Sequence, residues 1–401
     1  MVDGQLFIDD DRYSRLRLIA WWDQERLRRA QVLVVGAGAL GNEVLKNLAL
    51  LGTGHVVVVD CDHVDLSNLS RSVLFRPQDR GQPKAVVAAR AVRDLNPDVR
   101  VTALPENVLT GVGLGWFRDD DVVIGCLDNR EARLWVNRAC WKLSKPWIDG
   151  GIQELNGVVQ VFTPPDKACY ECGMTEMDYR LIQLRHSCPL LRREDLLSGK
   201  VPTAPTIAAV IGGLQTQEAL KLLHGLPVAG GEALVFNGAA NTSYRTQLPY
   251  REDCLSHDPL PPLVELPLSA GRDTAQQLFA AAREYLPTGA LRLLLDRDLV
   301  VSLECRRCNT TVPVLRALPL VGVHDGLCAT CGDWARPVLV HAVAAESELA
   351  GERLATLGVP PYDIVRVAGK SQEHAFLLAA DRPPTPEPLF SVDRPPGGRN
   401  D

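Results

Sequence analysis

The chain has 401 residues, 46% of them apolar, enough for a full-size core and for two or three domains. Its 43 basic and 49 acidic residues give a net charge of −6, without the basic surplus of a general nucleic-acid binder. The acidic opening MVDGQLFIDDDRYSR has no signal-peptide pattern and no apolar run nears the ~20 residues that span a bilayer, so a soluble, cytoplasmic protein without membrane or nucleic-acid partners is expected.

Residues 11–30 read as one amphipathic helix. QVLVVG (31–36) is a short apolar run ending in glycine, and so a buried strand. A helical pattern follows from Leu40 to Leu51, and HVVVVD (55–60) is a second strand. Pro83 opens a helical stretch to Leu95. VRVTAL, DVVIGC and PWIDG read as further strands, with NREARLWVNRACWKL as a helix before the last of them. This alternation predicts an α/β fold: a Rossmann-like, doubly wound, mostly parallel sheet with helices on both faces. GVVQVF (157–162) looks like an antiparallel addition. Residues 174–205 lack a clean period and read as a polar loop, followed by a strong helix over 206–225 that stops at Gly225.

The first domain is therefore expected over 1–257. DPLPPLVELPL (258–268) holds four prolines and reads as a linker. A smaller α+β domain is expected over 269–381, with a helix at 275–286 and the strands LRLLLD and LVVSLE. The tail from Arg382 has six prolines in twenty residues and reads as disordered.

Chemistry concentrates at three places. Gly36-Ala-Gly38-Ala-Leu-Gly41 follows a strand and opens a helix, where glycines let phosphate approach backbone N–H groups at the positive helix end. Asp60 ends the second strand, 19 residues past Gly41, where an acid can bond a ribose hydroxyl. Alone, this says nucleotide, with NAD the default. The polar stretch that follows fits a dehydrogenase poorly. It carries Asp60, Asp62, Asn68 and Arg71, and Lys84 comes thirteen residues after Arg71. Cations there suit a triphosphate, and Asp128 in GCLDN, at a strand's carboxyl end, can hold Mg²⁺. Each residue singly could be a solvated surface charge. Together they read as an ATP–Mg²⁺ site.

Arg12-Tyr-Ser-Arg15, VVGAGALG, DCDHVDLSNLSR, Lys84, GCLDN, ACYEC and IGGLQTQEALKLL together resemble the adenylating domain of the ubiquitin-activating enzyme superfamily, ThiF type, across residues 12–225. That superfamily includes the activating proteins of molybdopterin and thiamine synthesis. The resemblance implies that Asp60 binds ribose and that Asn68, Arg71 and Lys84 contact phosphates. Asp128 would position Mg²⁺. Arg15 would reach into a partner subunit's site, making a homodimer; an ordinary helix charge is the plain alternative. The implied reaction is attack by the C-terminal carboxylate of a ubiquitin-like carrier protein on the α-phosphate of ATP.

Eleven cysteines in a leaderless chain argue against a disulfide framework, and their CxxC spacing points to metal. Cys169 and Cys172 form half of an expected structural zinc site. The family completes it with a second CxxC; here the candidate is Cys254-Leu-Ser-His257, a Cys₃His set. Cys305, Cys308, Cys328 and Cys331 pair two CxxC knuckles separated by nineteen residues, a zinc-ribbon pattern whose alternative is redox activity. Cys188 follows Cys172 by sixteen residues, in the loop where thioester-forming relatives place their nucleophile, and Arg185 and His186 could stabilise its thiolate. A buried loop cysteine is the alternative. Cys61, Cys126 and Cys140 are expected to be buried.

The leading expectation is an activating enzyme that adenylates a ubiquitin-like protein, holds it as a thioester and passes it to a conjugating enzyme, as in bacterial ubiquitin-like conjugation and antiphage systems. The runner-up is a sulfur-carrier adenylyltransferase, which shares the site but is usually shorter or carries a rhodanese domain. An adenylator of a small molecule or peptide, and a non-catalytic partner subunit, complete the alternatives; retention of Arg71, Lys84 and Asp128 opposes the last.

Overall fold

The computed structural model describes residues 11–187 and 202–384. The expected helix over 11–30 is instead a 3-10 turn at Leu16–Leu18 and a separate helix, α1 (Gln24–Arg29). The break has a local cause. Asp23 is extended and caps α1 by accepting the N–H groups of Glu25 and Arg26, which starts a new helix rather than continuing the old one.

Strand and helix then alternate: β1 (Gln31–Val35), α2 (Ala39–Leu51), β2 (His55–Val59), α3 (Lys84–Leu95), β3 (Arg100–Leu104), α4 (Leu114–Asp119), β4 (Val122–Gly125), α5 (Arg130–Lys142) and β5 (Trp147–Gln153). There follow β6 (Asn156–Phe162), α6 (Glu176–Ser187), α7 (Pro205–His224), β7 (Glu232–Asn237) and β8 (Thr242–Gln247); α6 is a helix where a loop was expected, with acidic residues Glu176 and Asp178 in its first turn. One eight-stranded sheet results, in the order β3-β2-β1-β4-β5-β6-β7-β8. Its first five strands are parallel, and β6, β7 and β8 extend it antiparallel. Among the described residues, no helix is long and apolar enough to cross a membrane.

Period-two alternation in the central strands sorts the core into two faces. Val32, Val34, Val56, Val58 and Ile124 meet α2, α3 and α7. Leu33, Val35, Val57, Val59 and Val123 face the other way, toward α4 and α5. That second face also takes Tyr362, Ile364 and Leu377 from the far end of the chain.

Those residues belong to a second sheet. Its elements are β9 (Leu263–Leu266), α8 (Ala275–Ala282), β10 (Arg292–Cys305), β11 (Thr311–Ala317), β12 (Ala335–Ala344), β13 (Ile364–Ala368) and β14 (Glu373–Leu378). The order is β11-β10-β13-β14-β9, with β12 also on β10. Two expectations change here. LRLLLD and LVVSLE join in the one long strand β10, bulged where its register shifts. The expected linker 258–268 supplies β9, which runs parallel to β14 at the sheet edge; its prolines flank the strand rather than interrupt it.

The two sheets are joined by buried polar contacts. The Leu114 N–H donates to Asp363 Oδ1 at 2.7 Å and the Gly115 N–H to the Tyr362 carbonyl at 2.9 Å. A Cβ on Gly113 would come within 2.4 Å of the Tyr362 carbonyl oxygen, so only glycine fits that approach. From β10, Arg297 donates to the carbonyls of Leu109 and Val112, pairs with Asp363 at 3.1 Å and stacks 4.3 Å from the Trp135 ring. Asp296 beside it accepts from Lys142 of α5 at 3.0 Å.

Candidate functional site

The glycine loop sits between β1 and α2. Gly36 has φ +102, and a Cβ there would lie 2.4 Å from the Cys126 carbonyl oxygen. The loop thus packs directly on the end of β4. Gly38 is the N-cap of α2, with no side-chain cap, and the space a Cβ would fill is open. Free N–H groups at a positive helix end beside open space make an anion cradle. Asn42 braces the turn: its amide donates to the carbonyls of Ala37 and Gly38, and its oxygen accepts the Leu74 N–H.

Asp60 ties the second strand to this loop. Its Oδ2 accepts the Ala37 N–H at 2.7 Å and its Oδ1 the Asp62 N–H at 2.8 Å. Burial pushes its carboxyl above the ordinary value, against the pull of Lys84. The Lys84 side chain is largely buried at the start of α3 and donates to Asp62 Oδ2 at 2.8 Å. Asp62, expected among the nucleotide contacts, is therefore engaged with Lys84. Asn68 Oδ1 accepts the Asp65 N–H in a capping box, and Arg71 donates to the Ser67 carbonyl at 2.8 Å. Arg71 is half-buried on the same loop.

Asp128 lies just past β4, exposed, with Asn129 Nδ2 3.2 Å from its Oδ1. An exposed carboxylate at the carboxyl end of a central strand, next to an anion cradle, suits a phosphate-bound Mg²⁺. Two neighbours carry signals that sequence reasoning missed. Arg133 on α5 binds the buried Asp149 at 3.0 Å, and Gln215 on α7 donates to the Gly125 carbonyl at 2.8 Å. Burial pushes Asp149 up to about 6 despite its arginine. The Asp within PWIDG, a charge inside an expected strand, was the available signal.

Arg15 is not near this loop. Tyr13, two residues before it, packs against Gly52, the C-cap of α2, and its hydroxyl donates to Asp98 at 3.1 Å. Gly38 caps the opposite end of a 13-residue helix, ~20 Å away. Arg15 is exposed. Cys188 lies outside the described residues, as do most of the residues around it. Of the cysteines expected to be buried, Cys140 is, Cys126 is half-buried, and Cys61 is exposed.

Among the described residues, two clusters can hold a metal ion, each with its ligand atoms all within 4.8 Å of one another. In the first, Cys169 Sγ is 3.7 Å from Cys172 and 3.5 Å from Cys254, and Cys172 is 3.5 Å from His257 Nε2. In the second, Cys305–Cys331 and Cys308–Cys328 are each 3.5 Å apart. Tetrahedral zinc with Zn–S bonds of ~2.3 Å sets sulfurs ~3.8 Å apart, so both donor sets fit zinc. The first has a built surround. The His257 ring stacks on Trp141 at 4.5 Å and on Tyr250 at 5.4 Å. Asn137 accepts the Tyr170 N–H and donates to Ser256, whose hydroxyl reaches Glu171; Glu171 also binds Arg138. His257→Ala is expected to remove about one of two metal equivalents per chain; unchanged content by elemental analysis would exclude His257 as a ligand.

The model of the ThiF family matches residues 11–256. The sulfur carrier protein adenylyltransferase of Thermus thermophilus is 38% identical over 251 residues, 59% of this chain and 85% of that protein. The sulfur carrier protein ThiS adenylyltransferase of Escherichia coli is 36% identical over 235 residues, 57% of this chain and 88% of that one. Ubiquitin-like modifier-activating enzyme 5 of Dictyostelium discoideum is 30% identical over 234 residues, 54% of this chain and 59% of that one. Among solved structures, E. coli MccB with ATP shares the fold, with a TM-score of 0.52 at 22% identity over 63% of this chain and 75% of its own. With a family match over more than half of its length, this chain belongs to the ThiF family.

Proposed function

We propose that the chain is an adenylyltransferase that uses ATP to activate the C-terminal carboxylate of a small ubiquitin-like or sulfur carrier protein. The observation that carries this reading is the open anion cradle at Gly38, joined through Asp60 and Asp62 to Lys84, in a ThiF-family chain. The names of the two sulfur-carrier relatives, most of whose length is matched, support it.

The chemistry asks little of a general base. The attacking carboxylate is already an anion, so the obstacle is repulsion between it and the phosphates. The oxygen attacks the α-phosphorus, the bond to pyrophosphate breaks, and an acyl-adenylate forms. The chain would supply charge and alignment. Asp60 holds the loop and meets the ribose; α2 N–H groups, Arg71 and Lys84 hold phosphate, with Asn68 beside them. Lys84 would exchange its Asp62 partner for phosphate. Mg²⁺, when bound, neutralises phosphate charge, and Asp128 is the residue that would hold it. Arg15, set at the far end of α2 from its own cradle, would act at the site of a second copy in a homodimer.

The finer reading adds a thioester. Cys188 would attack the adenylate carbonyl, expel AMP and hold the carrier for a conjugating enzyme, in a bacterial ubiquitin-like conjugation pathway. Its support is the spacing after Cys172 and the relatives named as ubiquitin-like modifier-activating enzymes. One assay separates the readings. Carrier-dependent ATP–pyrophosphate exchange is expected in both; its absence with every ubiquitin-fold protein encoded nearby would end the adenylation reading. A carrier adduct that thiols reverse and Cys188→Ala abolishes is expected only in the second.

A further inference from the structure

The parallel ladder between β4 and β5 ends at the pair Gly125–Asp149. At this end of the ladder and just beyond it, side chains bridge the two strands. From one face Gln215 of α7 donates its amide to the carbonyls of Gly125, at 2.8 Å, and Ile148, at 3.3 Å. From the other, Arg133 of α5 donates through one terminal nitrogen to the carbonyls of Leu127, at 2.6 Å, and Gly150, at 3.0 Å. Its Nε meets Asp149, whose side chain is 3% exposed. The Leu127 carbonyl belongs to the peptide that leads into Asp128.

We propose that Arg133 is a positioning residue: held by Asp149, its guanidinium fixes the Leu127–Asp128 peptide so that the Asp128 carboxylate faces the bound triphosphate. The proposal rests on the adenylation reading above. A buried ion pair is weak support for stability alone, since an apolar pair of similar volume is often as stable. This pair instead spans two strand ends and grips the one peptide whose orientation aims Asp128. The task needs a planar fork, with one nitrogen toward the carboxylate and another toward the two carbonyls, a geometry that lysine lacks.

Full-length Arg133→Lys keeps the charge beside Asp149 and loses the fork. Its kcat for carrier-dependent pyrophosphate exchange is expected to fall about 100-fold, the order that a ~1 Å misplacement costs, with carrier KM unchanged. Deuterium uptake of the segment 126–130 is expected to rise while the rest of α5 stays protected. Methylguanidinium at millimolar concentration should partly restore Arg133→Gly. A wild-type kcat in the lysine variant, or unchanged uptake, overturns the proposal. So does a loss that tracks the folded fraction and shifts every kinetic parameter together. If the wild-type protein shows no exchange at all, the adenylation reading falls, and the fork is judged by deuterium uptake alone.

Discussion

Asp128→Ala is expected to lower carrier-dependent pyrophosphate exchange by about 1000-fold, the scale on which loss of one transition-state electrostatic group is felt. The thermal midpoint should stay within ~2 °C, because the side chain is exposed and its contact with Asn129 is a weak surface one. The same variant tests where Arg15 acts. Arg15→Ala alone should also be inactive. Mixed after dissociation and reassociation, the two variants form heterodimers with one intact site, and about a quarter of wild-type activity should return. Persistent exchange in Asp128→Ala would remove the magnesium role. A mixture as dead as its parts would show that Arg15 does not act at the partner's site.

The largest stability effect is expected at Asp363→Ala. Arg297 and Asp363 have side chains 5% and 4% exposed and lie between the two sheets. Removing the carboxylate leaves a buried guanidinium unpaired and the Leu114 N–H without its acceptor. Breaking a buried pair in this way costs about 3–5 kcal/mol. Because Tyr362, Ile364 and Leu377 share a core with β1, β2 and β4, loss of tryptophan fluorescence and of helical circular dichroism should shift together in urea. A shift below ~1 kcal/mol would show that the pair contributes little, and two separated transitions that the sheets are not one cooperative unit.

The central sheet was legible because its strands are continuous apolar runs and its helices carry clear stops. Gly36 and Gly41 sit where the strand–turn–helix leaves no room for a side chain, and Gly38 leaves the space beside the helix end open. The grouping of Cys169, Cys172, Cys254 and His257 came from the family resemblance, and the four stand together. Other features left no local trace. All of β8 is exposed, so it shows no period-two alternation. The prolines beside Leu263–Leu266 disguised β9. The extent of β10 is set by two partner strands, which a window of sequence does not contain. Arg133 and Arg297 look like ordinary surface charges until Asp149 and Asp363 arrive from elsewhere in the chain. Asp23 showed itself as a cap only once the turn before it closed.

One helix, α5, touches both ends of this chemistry. Near its start, Arg133 grips the peptide before Asp128; one to two turns on, Asn137, Arg138 and Trp141 form the wall of the first cysteine–histidine cluster. The paired ligands of that cluster are 85 residues apart and enclose α7, which carries Gln215. A metal held by that cluster would close this long loop, so its removal would lengthen the free segment around α7 while α5 and α7 keep their packing on the central sheet.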